Sequence, residues 1–278
     1  MSTATDVIAG PVRPAVTRRG RVTQPRVLRS EWTKLWSLRS TRWSLLAAVV
    51  AMAGLGPLVA AVQMSRWAQL DPRERLRFDS LDIGVGGHHL AQLAVGVLGV
   101  LVISGEYSTG MIRSSLMAVP RRLPVLWAKL GVFCSVTLVT MLVSTFVSFF
   151  AVQAIVQQHH QQHSLGDPNA LRVVLGTALF LTVLGALTVG IGALVRNTAG
   201  GISLFVFLLF VLPGIVGILP QSTADAISPY LPLNAGTAVA TSTFDGPHLA
   251  PWTGFAVFCG YALVVIGAAA AGLRRRDA

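Results

Sequence analysis

The chain is poor in charge, in lysine and in cysteine, and each shortage excludes a class of protein. Only 12% of its 278 residues are charged while 53% are hydrophobic, and its mean hydropathy is +0.65. Soluble domains carry about twice that share of charge, so a water-soluble fold is excluded. Lysine occurs twice, as Lys34 after Thr33 and as Lys129 after Ala128. A phosphate loop needs a lysine directly after glycine in G-x-x-x-x-G-K-[ST], where ammonium and backbone amides cradle phosphate. Neither lysine has that glycine, so this chain holds no ATP by such a loop. Cys134 and Cys259 both fall in apolar stretches, which argues against a disulfide framework or a zinc site. No G-x-S-x-G nucleophile turn and no H-E-x-x-H zinc helix occurs, so hydrolase chemistry of those kinds is absent.

What is present is six uncharged apolar runs, at 43–65, 83–105, 130–158, 173–195, 197–224 and 246–273. Each supplies the roughly 20 residues a helix needs to cross about 30 Å of hydrocarbon. The expected fold is an all-α polytopic membrane protein of six transmembrane helices. With the N-terminus inside, the inner segments hold 17 Lys+Arg and 4 acids, and the outer ones 5 Lys+Arg and 7 acids. That bias places both termini in the cytoplasm and the chain in the plasma (inner) membrane as a multi-pass protein. A pI near 11.3 would suit nucleic acid. The arginines, however, flank apolar runs, where membrane lipids and topology account for them, so no nucleic-acid partner is expected. Residues 1–26 are rich in Arg, Pro and Thr without an apolar core, and read as a disordered cytoplasmic tail, not a signal peptide. Residues 27–278 form the membrane domain.

From Val27 to Arg42 the pattern is amphipathic, with Leu28, Trp32, Leu35 and Trp36 on one face and Ser30, Thr33, Lys34 and Ser37 on the other. It reads as a helix lying in the headgroup layer, or as the plain basic flank of the first run. Gly54, Gly56 and Pro57 favour a kink in that run. The outer segment 220–250 is too short and polar to span and too apolar for an ordinary loop, so a re-entrant or interfacial element is expected. The outer His159, His160 and His163 form an H-H-x-x-H cluster whose first and last members share a face only if helical. Their plainer reading is polar residues in a solvated loop.

The longest inner loop reads GEYSTGMIRSSLMAVPRRLPVLWAK from Gly105 to Lys129. Thr109 suits the cap of a short helix with an Ile112, Leu116, Val119 stripe, and Pro120 stops it. Pro124 suits the first turn of the next helix. Such a loop helix either docks in a groove of a soluble partner or lies at the interface with no partner.

The order Gly105-Glu106-Tyr107-x-x-Gly110-x-Ile112-Arg113, then Val119-Pro120-Arg121-Arg122 and Lys129, resembles the first cytoplasmic loop of ABC-2-type exporter permeases. Arg29-Ser30-Glu31-Trp32-x-Lys34-Leu35 resembles the start of that family's connecting helix, which implies Glu31, Trp32, Lys34, Leu35 and Trp36 as its residues, and Tyr230-Leu231-Pro232-x-Asn234-Ala235-Gly236 resembles its segment before the last span. The resemblance implies a bacterial permease subunit that dimerises with a second copy or paralogue. It would bind no cofactor itself, with ATP and Mg on a separate ATP-binding subunit. It further implies that Gly105, Glu106, Tyr107, Gly110, Ile112, Arg113, Leu116 and Val119 couple to that partner. Alternatives are an ion-coupled transporter or channel, against which the uncharged span interiors weigh, and a non-transport membrane scaffold. The topology is tested by cysteine labelling in intact cells. Single cysteines at Ser115 should be shielded from an impermeant external reagent and at Ser164 exposed to it; labelling at Ser115 would overturn the scheme.

Overall fold

The computed structural model describes residues 24–76, 78–111, 123–244 and 246–275, and among these there are helices and no strand. Helix α1 (Gln24–Ser37) precedes α2 (Arg39–Ser65), with Leu38 extended between them (φ −83°, ψ 124°). After a short α3 (Pro72–Leu76), α4 (Ser80–Val85) and α5 (His88–Ser108) run on almost end to end. Then come α6 (Leu123–Val156) and α7 (Ala170–Val195). The next span is composite: α8 (Thr198–Val206), a π-helical turn (Phe207–Val211) and α9 (Leu212–Val216). Two short helices, α10 (Gln221–Ile227) and α11 (Pro232–Thr237), lead to α12 (Pro251–Arg275).

Six segments are long and apolar enough to cross a membrane: α2, α4–α5, α6 with its terminal turn, α7, α8–α9 and α12. The protein is an all-α polytopic membrane protein. Helix α7 is the most enclosed span and packs on α5, α6, α8 and α12. Helix α2 lies against α5 and α6 on the other side.

Several boundaries differ from the sequence pattern, each for a local reason. The second span does not end at Ser104 but runs to Ser108, with Thr109 as its C-cap, and the expected helix after Thr109 falls largely on residues outside those described. The Thr109 hydroxyl donates to the Gly105 carbonyl (2.8 Å), closing the last turn. Helix α2 stays continuous through Gly54, Gly56 and Pro57. The fifth span ends at Val216, not residue 224, and the residues after it form α10. Its π turn has a cause in Pro213, which lacks the N–H that would bond Leu209 and whose ring crowds that carbonyl. Widening the preceding turn relieves both.

The segment before α12 turns back into the bundle. Ala235, Val239 and Ala240 are buried, and Gly236 abuts the rings of Phe180 and Phe258. The backbone that follows α11 leaves carbonyls unpaired by helix, and Arg172 Nη1 donates to those of Ala238, Val239 and Thr241 at 3.0–3.3 Å. Irregular backbone at such depth needs this kind of internal partner.

Helices approach closely where side chains are absent. A Cβ on Gly87 would overlap the backbone of α2 at Ala51 and Met52, with Met52 Cα only 2.7 Å away, whereas one on Gly54 meets nothing within 4 Å. Backbone cannot step aside as a side-chain tip can. Gly87→Ala should therefore destabilise the protein by about 1–3 kcal/mol, and Gly54→Ala should be neutral or stabilising by up to about 1 kcal/mol. Thermal unfolding of the two variants in detergent measures the contrast, and equal melting temperatures would contradict it.

Candidate partner-coupling site

Four charged side chains from three helices close a ring at one end of the bundle. Glu31 and Lys34 lie one turn apart on α1, Glu106 on the last turn of α5, and Lys129 near the start of α6. Lys129 Nζ is 2.6 Å from Glu31 Oε2 and 3.0 Å from Glu106 Oε1. Lys34 Nζ is 2.8 Å from Glu31 Oε1 and 3.0 Å from Glu106 Oε1. Signs alternate around the ring, so every neighbour attracts.

Burial makes the ring matter. Glu31 and Lys129 are each 4% exposed and Glu106 8%, while the Lys34 side chain keeps 24%. Burial alone would push the Glu31 carboxyl up, but the charges and hydrogen bonds of Lys129 and Lys34 outweigh it and hold Glu31 below its ordinary 4.5. Burial would likewise lower Lys34, yet its bonds to Glu31 and Glu106 leave it above 10.5. One acceptor stays open: Glu106 Oε2 is buried without a hydrogen-bond partner. Beside the ring lies a cavity of about 210 Å³, walled by Leu35, Leu38, Thr41, Val102 and Val132 as well as the four charges.

The ring explains the orientation of α1. Its buried stripe is Val27, Glu31 and Leu35, four residues apart. Of the apolar face read from sequence, only Leu35 points inward. Leu28, Trp32 and Trp36 are exposed, the two indoles 5.9 Å apart, where amphipathic rings suit an interface. A carboxylate turned inward at Glu31 breaks the simple pattern because Lys129 waits there.

The other residues singled out in sequence divide at the end of α5. Gly105, Glu106 and Tyr107 sit in its final turns. Gly110 follows with φ +71°, and its N–H donates to the Tyr107 carbonyl (3.3 Å). That left-handed exit favours glycine. The Tyr107 ring lies under the Arg196 guanidinium at 5.3 Å, and Ser104 bonds Thr198 (2.9 Å), joining this end of α5 to the turn between α7 and α8. Ile112, Arg113, Leu116 and Val119 lie outside the described residues.

In the sequence Glu31, Lys34, Glu106 and Lys129 stand apart, and no motif joins them. The available signal was composition: in an arginine-rich chain, both lysines stand beside span ends that also carry lone glutamates. His159, His160 and His163 do not assemble. His163 Nδ1 is 2.8 Å from Ser80 Oγ, His159 packs on Trp67 at 5.4 Å, and His160 has φ 55°. Among the described residues no three His, Cys, Asp or Glu side chains are placed to share a metal ion.

The profile of the family described as "ABC-2 family transporter protein" matches residues 83–278. The chain belongs to the ABC-2 transporter family. No curated protein matches it. The match begins within α4 and contains Glu106 and Lys129, whereas Glu31 and Lys34 precede it. As an ABC-2 membrane protein, the chain has a helix before its first span that is fastened by charge to two spans inside the matched region.

Removing one partner of a buried pair strands a charge at a cost of about 3–5 kcal/mol. Lys129→Met should thus lower stability by that order, and Glu31→Leu with Lys129→Met by less than the sum of the singles. Chemical unfolding of the four species gives the cycle; strict additivity would show the pair to be uncoupled. The pH dependence follows from the two shifts. Glu31 stabilises above its unfolded value and that contribution disappears as pH falls through its lowered folded value. Lys34 stabilises below its unfolded value and loses effect as pH rises through its raised one. Fluorescence of an environment-sensitive label on α1 should therefore stay flat through neutrality and change at both extremes.

Proposed function

We propose that this ABC-2 chain is the membrane-spanning permease subunit of an exporter, driven by ATP hydrolysis on a separate ATP-binding subunit and acting as a dimer. The carrying observation is the four-charge ring. It fastens α1 to the last turn of α5 and the first turns of α6, the two helices that flank residues 109–122. A push on that loop by a soluble partner would reach α1, α5 and α6 together, because parting them strands buried charge. Membership of the family supports the permease role, and the lack of any glycine–lysine phosphate loop in the sequence leaves ATP to another chain. In this reading the ring end faces the cytoplasm of the inner membrane, α1 is the connecting helix, and Gly105, Glu106, Tyr107, Gly110, Ile112, Arg113, Leu116 and Val119 carry or support the contact.

The test compares co-purification of an ATP-binding subunit with two variants. Leu116→Asp would require a charge to be desolvated on docking, a cost of at least a few kcal/mol, so partner recovery should fall by orders of magnitude. Leu70→Asp, on the outer side, should leave recovery unchanged. Membrane levels of both variants control for folding, and the isolated chain should hydrolyse no ATP. Normal partner binding and export by Leu116→Asp would refute the coupling role of the loop.

A further inference from the structure

The first turns of α2 have two faces. Thr41 and Leu45 are buried, and Thr41 helps wall the cavity beside the charge ring. On the opposite face Arg39, Arg42, Trp43 and Leu46 line an open cleft of about 440 Å³. We propose that this cleft holds the phosphate of one anionic phospholipid, whose acyl chains lie along α2. The proposal stands apart from the exporter reading, since it rests on the membrane-spanning fold and on residues outside the ring.

Charge and shape carry it together. Arg39 and Arg42 are three residues apart, so their side chains share one side of the helix. Both are exposed, and the lining of the cleft contains no Asp or Glu. Among the described residues neither arginine has an ion pair. Glu31 is the only acid between residues 24 and 70, and it is already committed to Lys34 and Lys129. Two guanidinium forks with no carboxylate to take them suit phosphate oxygens, which accept their N–H bonds in pairs.

The apolar half of the lining makes that phosphate a lipid's. Helix α2 has 27 residues, about 40 Å of helix against about 30 Å of hydrocarbon, so its ends reach the headgroup layers. Trp43 is 69% exposed and lies one turn beyond Arg39, where an indole marks the border between headgroups and hydrocarbon. From there the exposed Leu46, Val50 and Gly54 continue at helical spacing down the same side, and a Cβ on Gly54 would meet nothing within 4 Å. This track is about 16 Å long, close to the depth of one leaflet. A soluble acidic protein or a free phosphate would reach the arginines but not the track below them. Phosphatidylcholine carries its own cation beside its phosphate, so a lipid with net negative charge gains more from the arginine pair.

The experiment uses the full chain in phosphatidylcholine nanodiscs doped with lipid brominated on its acyl chains, either phosphatidylglycerol or phosphatidylcholine. Quenching of Trp43 is the difference in emission between the native chain and Trp43→Phe. Brominated phosphatidylglycerol should quench Trp43 saturably, with about tenfold higher affinity than brominated phosphatidylcholine. Arg39→Gln with Arg42→Gln should erase that preference. Arg29→Gln with Arg274→Gln, an equal loss of charge on exposed arginines elsewhere, should keep it. Glycerol 1-phosphate in solution should not relieve the quenching. Native mass spectrometry of the unaltered chain should retain one phosphatidylglycerol under conditions that strip phosphatidylcholine, which decides the matter even if a variant fails to fold. Equal quenching or equal retention of the two lipids, the same loss in both arginine pairs, or relief by glycerol 1-phosphate would overturn the proposal.

Discussion

A charge taken out of water must find an opposite charge, and the inner architecture of this protein follows from that requirement. Glu31, Lys34, Glu106 and Lys129 are held within 3.0 Å of a partner by three separate helices. None of these helices can rotate by one residue without stranding an ion. Apolar contact between helices is weakly directional, since lipid is as apolar as the side chains it replaces. The ring supplies direction: it sets the face α1 buries and the register between the ends of α5 and α6.

The spans themselves are ordered by shape. Gly87 lets the start of α5 touch the backbone of α2, and Gly236 lets the segment that turns back before α12 reach Phe180 and Phe258. Polar side chains then close what helices leave open, as Arg172 does for the carbonyls after α11. The two ends of the molecule therefore use polarity differently. One fastens helices through paired ions, and the other ties irregular backbone to the bundle through single side chains such as Arg172 and Asp82.

Much of the fold is legible in the sequence because crossing a membrane imposes a long, uncharged run that few other structures need. All six spans appear in the expected order, with edges displaced by caps and turns at Ser108, Val216 and Leu38. The site was legible only as separate residues. Glu31 turns inward because its partner is Lys129, 98 residues away, and no local periodicity contains that information.

The ring has an electrical consequence. Its two ammonium and two carboxylate groups sum to zero, so the four travel as a neutral body when α1, α5 and α6 shift together. A membrane potential does work of about 2.3 kcal/mol on each elementary charge carried through 100 mV, but none on a group whose charges cancel. The ring itself therefore adds nothing to the work a membrane potential does when these helices move, and that work falls on the arginines around it, such as Arg29, Arg39 and Arg42.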